Sequence, residues 1–435
     1  MSEPTMSPIR PVAFRRFWQA YAVSAVGSGV GAGALPLIAI LVLHAGAFEV
    51  SALAAIGAVS SAVISVPLGS LIDASEKRWV MVVSNAVRFA ALATIPVAIV
   101  ADALTFAQLC GVAIVQTTGA IAYNAAGFAY VKAVVPADQR TSANARIDSA
   151  NWITQSAGPP AGGALIAATT PFATVVIDSL SYLASALLLR RIPAAAPAAT
   201  KAVGRERGRL LSGWSWIFRE PTLRMLYINA MLFGGAIMWS SPLLAVLVLQ
   251  QMHATPLEYG FVLGVPCLGG LLGAMLSPKV VARIGQRRAL LVLGLSRIPW
   301  LAALPFAGSG TVGIAVITAS NFLLLTSAGL FNPVFATYRM EATPDHLMAR
   351  VSAAWSVSSK SVQPAFITIG GIVAATTSIR LSLVVAAALC LLSGAFLPYG
   401  ALPYARRMVR RQRMRPPAVT NHSPVSQSVG PPSMR

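Results

Sequence analysis

Long apolar runs without a charged residue recur along the chain, at 17–43, 50–72, 103–131 and 149–177. Each exceeds the roughly 20 residues a helix needs to cross about 30 Å of hydrocarbon. Turn residues and charges divide the rest of the sequence into similar lengths. The pattern predicts spans at 17–43, 48–72, 79–101, 103–132, 147–169, 172–190, 223–250, 257–278, 289–307, 311–339, 352–376 and 380–404. An all-α membrane protein of twelve transmembrane helices is the expected fold class.

Composition agrees, since only 11% of residues are charged, against about 25% for soluble domains. The net charge of +20 would suit a nucleic-acid partner, but its distribution does not. Lys and Arg gather near 10–16, 77–78, 132–146, 190–224, 279–288, 339–350 and 406–415, whereas the loops around His44, Asp102, Thr170, His253 and Ser309 have none. The last loop carries only Arg380. Alternation of this kind is the positive-inside pattern, so both termini are expected in the cytoplasm and the protein in the cell membrane. The start MSEPTMSPIRPVAFRRFW shows no cleavable leader. Cys110, Cys267 and Cys390 all fall in apolar spans, which implies no disulfide framework.

A repeat organises the chain. Asn124, Tyr130 and Pro136 match Asn332, Tyr338 and Pro344 at a constant separation of 208, as do Gly162–Gly163 and Gly370–Gly371. A separation of 209 relates Arg88 to Arg297, Pro96 to Pro305 and Glu49 to Glu258. The expected organisation is a cytoplasmic segment 1–16, a six-helix half 17–190, a basic linker 191–222, a second six-helix half 223–404 and a basic, disordered tail 405–435. In the linker, 210–218 reads as an interfacial helix carrying Trp214 and Trp216. The basic loops and tail suit anionic lipids. Parallel halves place a site near the midplane between them, reached alternately from each side.

Two stretches carry a family resemblance. GSLIDASEKR, with Gly69, Asp73, Lys77 and Arg78, resembles the cytoplasmic motif of the major facilitator superfamily, departing from it at Ala74 and Glu76. The resemblance implies that Asp73 faces a helix N-terminus or a basic partner across the seam between halves. The corresponding SPKVVARIGQRR keeps Gly285, Arg287 and Arg288 but has no acid. QSAGPPAGGALIA resembles the Gly-Pro-x-x-Gly-Gly element of drug/proton antiporters, through Gly158, Pro159, Gly162 and Gly163. Gly158 and Gly162 lie four apart and share a face that admits a neighbouring backbone. The stretch reads either as a seal at one mouth of the pathway or as ordinary close packing. FNP in span ten and VVPADQRTSANA after span four resemble a branch of macrolide and siderophore exporters.

Charged residues within spans are expensive and often functional. Arg88 and Arg297, related by the repeat, read as structural groups near the cytoplasmic ends, with ligand binding as the alternative. Asp178 in span six is either a proton carrier or a structural acid, and Asp148 reads as a helix-start charge. Lys360 stands alone among serines in span eleven, where the repeat places Trp152. A lysine this deep costs about 2.5–3.5 kcal/mol, so the alternatives are an aqueous cavity where it meets an acidic or carbonyl group of a substrate, the seam, or an uncharged amine. By the resemblance, spans one, four, seven and ten line the cavity. They offer Gln19, Tyr21, Gln116, Tyr123, Asn124, Asn229, Met231, Phe233, Met238, Trp239, Asn321, Phe331 and Asn332. Met and aromatic surfaces with scattered amides suit a large amphiphile.

No nucleophile elbow, metal-ligand cluster or phosphate loop is legible in the sequence, so neither an enzyme nor an ATP-driven pump is expected. The expected activity is secondary active export of a small amphiphilic drug or natural product, by a monomer without cofactor, using proton antiport. Multidrug efflux and antibiotic resistance follow from the resemblance. The alternatives are siderophore or metabolite export without proton antiport, and a non-transporting receptor or scaffold on the same fold. The first span lacks the acid often present in proton-coupled drug exporters.

Overall fold

The computed structural model describes residues 11–136, 139–169, 172–193, 207–344 and 347–399. These are helical in two pseudo-symmetric sets of six spans. The first comprises a broken helix α1 (Pro11–Val30) and α2 (Ala34–Leu41), then α3 (Ala47–Ala74), α4 (Lys77–Val100), α5 (Phe106–Val134), α6 (Arg140–Ala168) and α7 (Ala173–Arg190). The short α8 (Arg207–Arg219) precedes α9 (Pro221–Val246), which ends in a π turn at Leu247–Gln251. Then follow α10 (Pro256–Ile284), α11 (Gln286–Ser296) with a 3-10 helix at Pro299–Phe306, α12 (Gly310–Glu341), α13 (Met348–Thr376) and α14 (Ile379–Ser393).

Local chemistry accounts for the starts and breaks. Thr255 and Glu258 form a capping box at α10, Thr255 Oγ1 accepting from the Glu258 N–H while the Glu258 carboxylate accepts from the Thr255 N–H at 2.8 Å. At the matching position of the first half, the Glu49 carboxylate accepts from the Gly46 N–H at 2.9 Å. The first span breaks after Val30 because Gly33 adopts φ 79°, a left-handed conformation that glycine tolerates best. Span nine breaks at Arg297 because Pro299 has no N–H to continue the ladder. Its repeat counterpart α4 runs through Arg88 without interruption and carries Pro96 near its end.

Among the described residues, ten helical segments are long and apolar enough to cross a membrane. The two long helices outside that set are α6 and α13, each of 29 residues. They occupy the same place in the repeat, and both pack against the opposite half, α6 on α10 and α13 on α3. Their amides, hydroxyls and charges therefore meet protein and a cavity instead of lipid. This places α6 from Arg140, so Asp148 stands about two turns inside the helix and lines the cavity rather than marking its start.

The linker helix α8 docks on the second half. Ile217 is fully buried, Trp214 Nε1 donates to Ser358 Oγ at 2.9 Å, and Trp216 Nε1 donates to the Ala342 carbonyl at 3.1 Å. Of the loop motif, Lys77 Nζ donates to the Ser75 carbonyl at 3.1 Å, and Arg78 Nη1 to the Ile192 carbonyl at 3.1 Å while its Nε pairs with Glu76 Oε1. Gly69 and Asp73 lie on the backbone of α3, but their side chains fall outside the described residues.

Candidate functional site

A cavity of about 1070 Å³ lies between the halves. Its lining runs from Phe17, Val131 and Ile147, toward the end bearing the basic loops, to Pro36 and Val50 at the opposite end. The walls are mostly apolar, with Arg88, Gln116, Asn124, Asp148, Lys360 and Gln363 as the main polar interruptions.

The end of the cavity away from the basic loops is closed by backbone-to-backbone contact. A Cβ at Gly158 would overlap the Gly29 backbone, and one at Gly162 would strike the Val30 carbonyl oxygen, so both glycines seat α6 on α1 within the first half. Gly163 faces Pro256 and Leu257 at the start of α10, across the seam. In return Gly260 and Gly264 of α10 receive Pro159 and Pro160. The prolines of GPPAGG thus point their carbonyls and rings at glycines of the other half, where protein rather than lipid surrounds them. On the second seam Gly371 of α13 meets Ser51 of α3, and Gln250 Nε2 donates to the Ala45 carbonyl at 2.8 Å. Gly33 adds a further close approach, to Tyr259 and Leu263.

A polar cluster stands in the first-half wall. Arg88 Nε donates to Gln116 Oε1 at 2.9 Å, Gln116 Nε2 returns a bond to the Arg88 carbonyl at 2.9 Å, and Arg88 Nη2 donates to the Tyr182 hydroxyl. The guanidinium also lies 3.8 Å from the Tyr182 ring centroid. Ser28 and Tyr182 share a hydroxyl bond of 2.6 Å. Asp178 lies behind them, 9% exposed, with its carboxylate against Gly31 of the first span and with Oδ1 unpartnered among the described residues. Tyr182 and Ser28 were not among the sequence candidates. The signal for Tyr182 was its position four residues after Asp178, on the same helix face.

Arg297 is housed differently. It is 3% exposed, its Nη2 donates to Asn229 Oδ1, and its guanidinium carbon lies 4.0 Å and 3.9 Å from the Phe233 and Phe331 ring centroids. This corrects three expected cavity residues. Asn229 is taken up by Arg297 and by the Ser393 carbonyl, which accepts from its Nδ2 at 2.7 Å. Phe233 is taken up by the guanidinium, and Trp239 by Ser382 Oγ at 2.9 Å. Gln19, Asn321 and Asn332 also lie off the cavity lining, whereas Tyr123 and Asn124 belong to it, as do Tyr21 and Gln116. The two arginines, read from the sequence as structural groups, find their partners in amide oxygens, a phenol and ring faces.

Six pseudo-symmetric spans per half, a cavity between the halves and glycine-lined seams define a membrane transporter fold. The sequence profile of the Major Facilitator Superfamily matches residues 17–367, and the chain belongs to that superfamily. Among curated relatives, the chain is 24% identical over 343 residues to the multidrug efflux pump Tap of Mycolicibacterium fortuitum, covering 75% of this chain and 80% of that protein. Among solved structures, a variant of the nucleoside transporter NupG superposes with a TM-score of 0.72 at 12% identity, covering 88% of this chain and 98% of the other. A bacterial homologue of the iron transporter ferroportin superposes with 0.67 in its inward-facing state, at 17% identity over 89% and 98% of the two chains. Its outward-facing state gives 0.58, at 18% identity over 88% and 98%.

Proposed function

We propose that the protein is a secondary active exporter that moves a small amphiphilic compound across the cytoplasmic membrane by alternating access and proton antiport. The observation that carries this reading is the 1070 Å³ cavity, mostly apolar, sealed at the end away from the basic loops and, among the described residues, without such contacts at the basic end. A cavity of this size and character suits a drug-sized amphiphile. The basic loops assign the unsealed end to the cytoplasm, which makes this an inward-facing state. The higher likeness to the inward-facing ferroportin homologue supports the same assignment. The relation to a multidrug efflux pump supports export.

Proton antiport needs an acid that changes protonation with the conformational cycle. Asp178 is the acid this reading assigns, because it lies deep within the first half beside the Arg88–Tyr182–Ser28 network, and Arg88 reaches the cavity. The test is dye accumulation in inverted vesicles under an imposed pH gradient. Wild type is expected to move substrate only with the gradient, and Asp178→Asn to keep binding while losing gradient-driven transport. Normal transport by the Asn variant removes Asp178 from the coupling, and gradient-independent movement in wild type overturns antiport itself.

A further inference from the structure

The second half contributes little polarity to the cavity, with one exception. Lys360 and Gln363 lie three residues apart on α13, so they share a helix face, and both line the cavity in half-buried positions. Among the described residues, Lys360 forms no hydrogen bond or ion pair and Gln363 forms no hydrogen bond. Packing does not demand a lysine here. Its repeat counterpart Trp152 fills the α6–α10 seam against Gly270, while Lys360 is turned to open space.

The acids of the region do not serve as its partner. Asp148 lines the same cavity from α6 in the other half, nearer the basic end, and does not pair with Lys360. Asp178 is packed against Gly31 of the first span and is not part of the lining. Arg88 adds a second positive charge to the wall, but its Nε and Nη2 donate to Gln116 and Tyr182 within its own half. The charged lining is therefore two cations and one acid, and Lys360 is the cation that no side chain or carbonyl among the described residues engages.

We infer that Lys360 and Gln363 form an anion subsite that selects acidic amphiphiles, with the ammonium holding a carboxylate or sulfonate of the substrate and the Gln363 amide orienting it. In a poorly hydrated apolar cavity, such a charge-assisted contact is stronger than in water. The carbon skeleton then rests on the apolar walls. This inference rests on the cavity being the substrate site, and it adds the substrate's charge.

The experiment is equilibrium dialysis of the purified full-length protein against two dyes on one xanthene core, the anionic fluorescein and a cationic rhodamine ester. Wild type is expected to bind fluorescein more tightly. Lys360→Met should weaken fluorescein binding by about ten- to a hundredfold, leave rhodamine within about twofold, and Lys360→Arg should restore most of the loss. Retained rhodamine binding also reports that the variant is folded. If Lys360→Met loses both dyes equally, or neither, the subsite is overturned while the cavity reading stands. If wild type refuses both dyes, the cavity reading falls and takes the subsite with it.

Discussion

The two halves place the same residues at the same positions and use them differently. Arg88 reaches the cavity and is held by an amide and a phenol, with an acid behind them, whereas Arg297 is sealed between two phenylalanine rings. The difference follows from single positions. Tyr182, which holds Arg88 through its hydroxyl, is replaced in the repeat by Cys390, and Asp178 falls at Ala386–Ala387. Without these groups the second arginine takes its contacts from Asn229 and ring faces. The first half is thus built to respond to charge, and the second to stay packed, apart from Lys360.

The glycine pairs show the opposite, a shared plan. In each half the first glycine meets its own half and the second meets the other. Gly162 abuts Val30 and Gly163 abuts Pro256, while Gly370 abuts Trp239 and Gly371 abuts Ser51. The neighbour differs at the first position, since Val30 presents a backbone carbonyl and Trp239 a side chain. A backbone within a helix contact cannot yield as a side chain can.

The largest expected effect tests that difference. Gly162→Leu forces α6 away from α1 at the sealed end, and transport should be abolished although the protein still reaches the membrane. Gly370→Ala should be milder, with partial activity, because the indole can shift at the expense of its bond to Ser382. Transport assays with surface-expression controls decide it. Equal activity in both variants would mean that the sealed end does not depend on backbone contact.

A smaller effect separates the arginines by stability. Arg297→Ala removes a fully buried side chain from between two rings and leaves a void, which should cost about 2–5 kcal/mol. Arg88→Ala borders a cavity that solvent refills, so its cost should be about 1 kcal/mol while transport suffers more. Thermal unfolding in detergent, set beside transport rates, reads both. An Arg88 variant as unstable as the Arg297 variant would remove the contrast between a responsive and a packed half.

Much of this architecture was legible in the sequence. Charge-free runs, alternating basic loops and the 208-residue separation point to paired bundles of six, and GPPAGG marks a close helix contact. What the sequence hid was the side toward which each polar group turns. Asn229 and Trp239 look like cavity residues until Arg297 and Ser382 are seen to need them. Ser28 and Tyr182 are 154 positions apart, and hydroxyls in a span give no sign of pairing. The apolar pattern starts α6 too late because its first turns carry Arg140, Arg146 and Asp148, charges that lipid would refuse but a protein seam and a cavity accept.

The smallest expected effect concerns a contact with no twin. Gln250 Nε2 donates to the Ala45 carbonyl across the halves at the sealed end, whereas the repeat places Leu41 opposite Gln250 and Ala254 opposite Ala45. One neutral hydrogen bond contributes about 0.5–1.5 kcal/mol, so Gln250→Leu should raise the population of the state open at that end by roughly two- to tenfold. Cys267 lines the cavity and serves as the reporter, with Cys110 and Cys390 replaced by serine. In right-side-out vesicles, an impermeant maleimide should modify Cys267 faster in the Gln250 variant by that factor. In inverted vesicles the rate should barely change, because the proposed inward-facing state is already the one open to the basic end. A Leu41→Ala variant, which removes no bond between halves, should label like wild type. If both variants accelerate alike, sealing depends on general packing at this end. If neither does, the Gln250 bond contributes nothing to the balance between the two states.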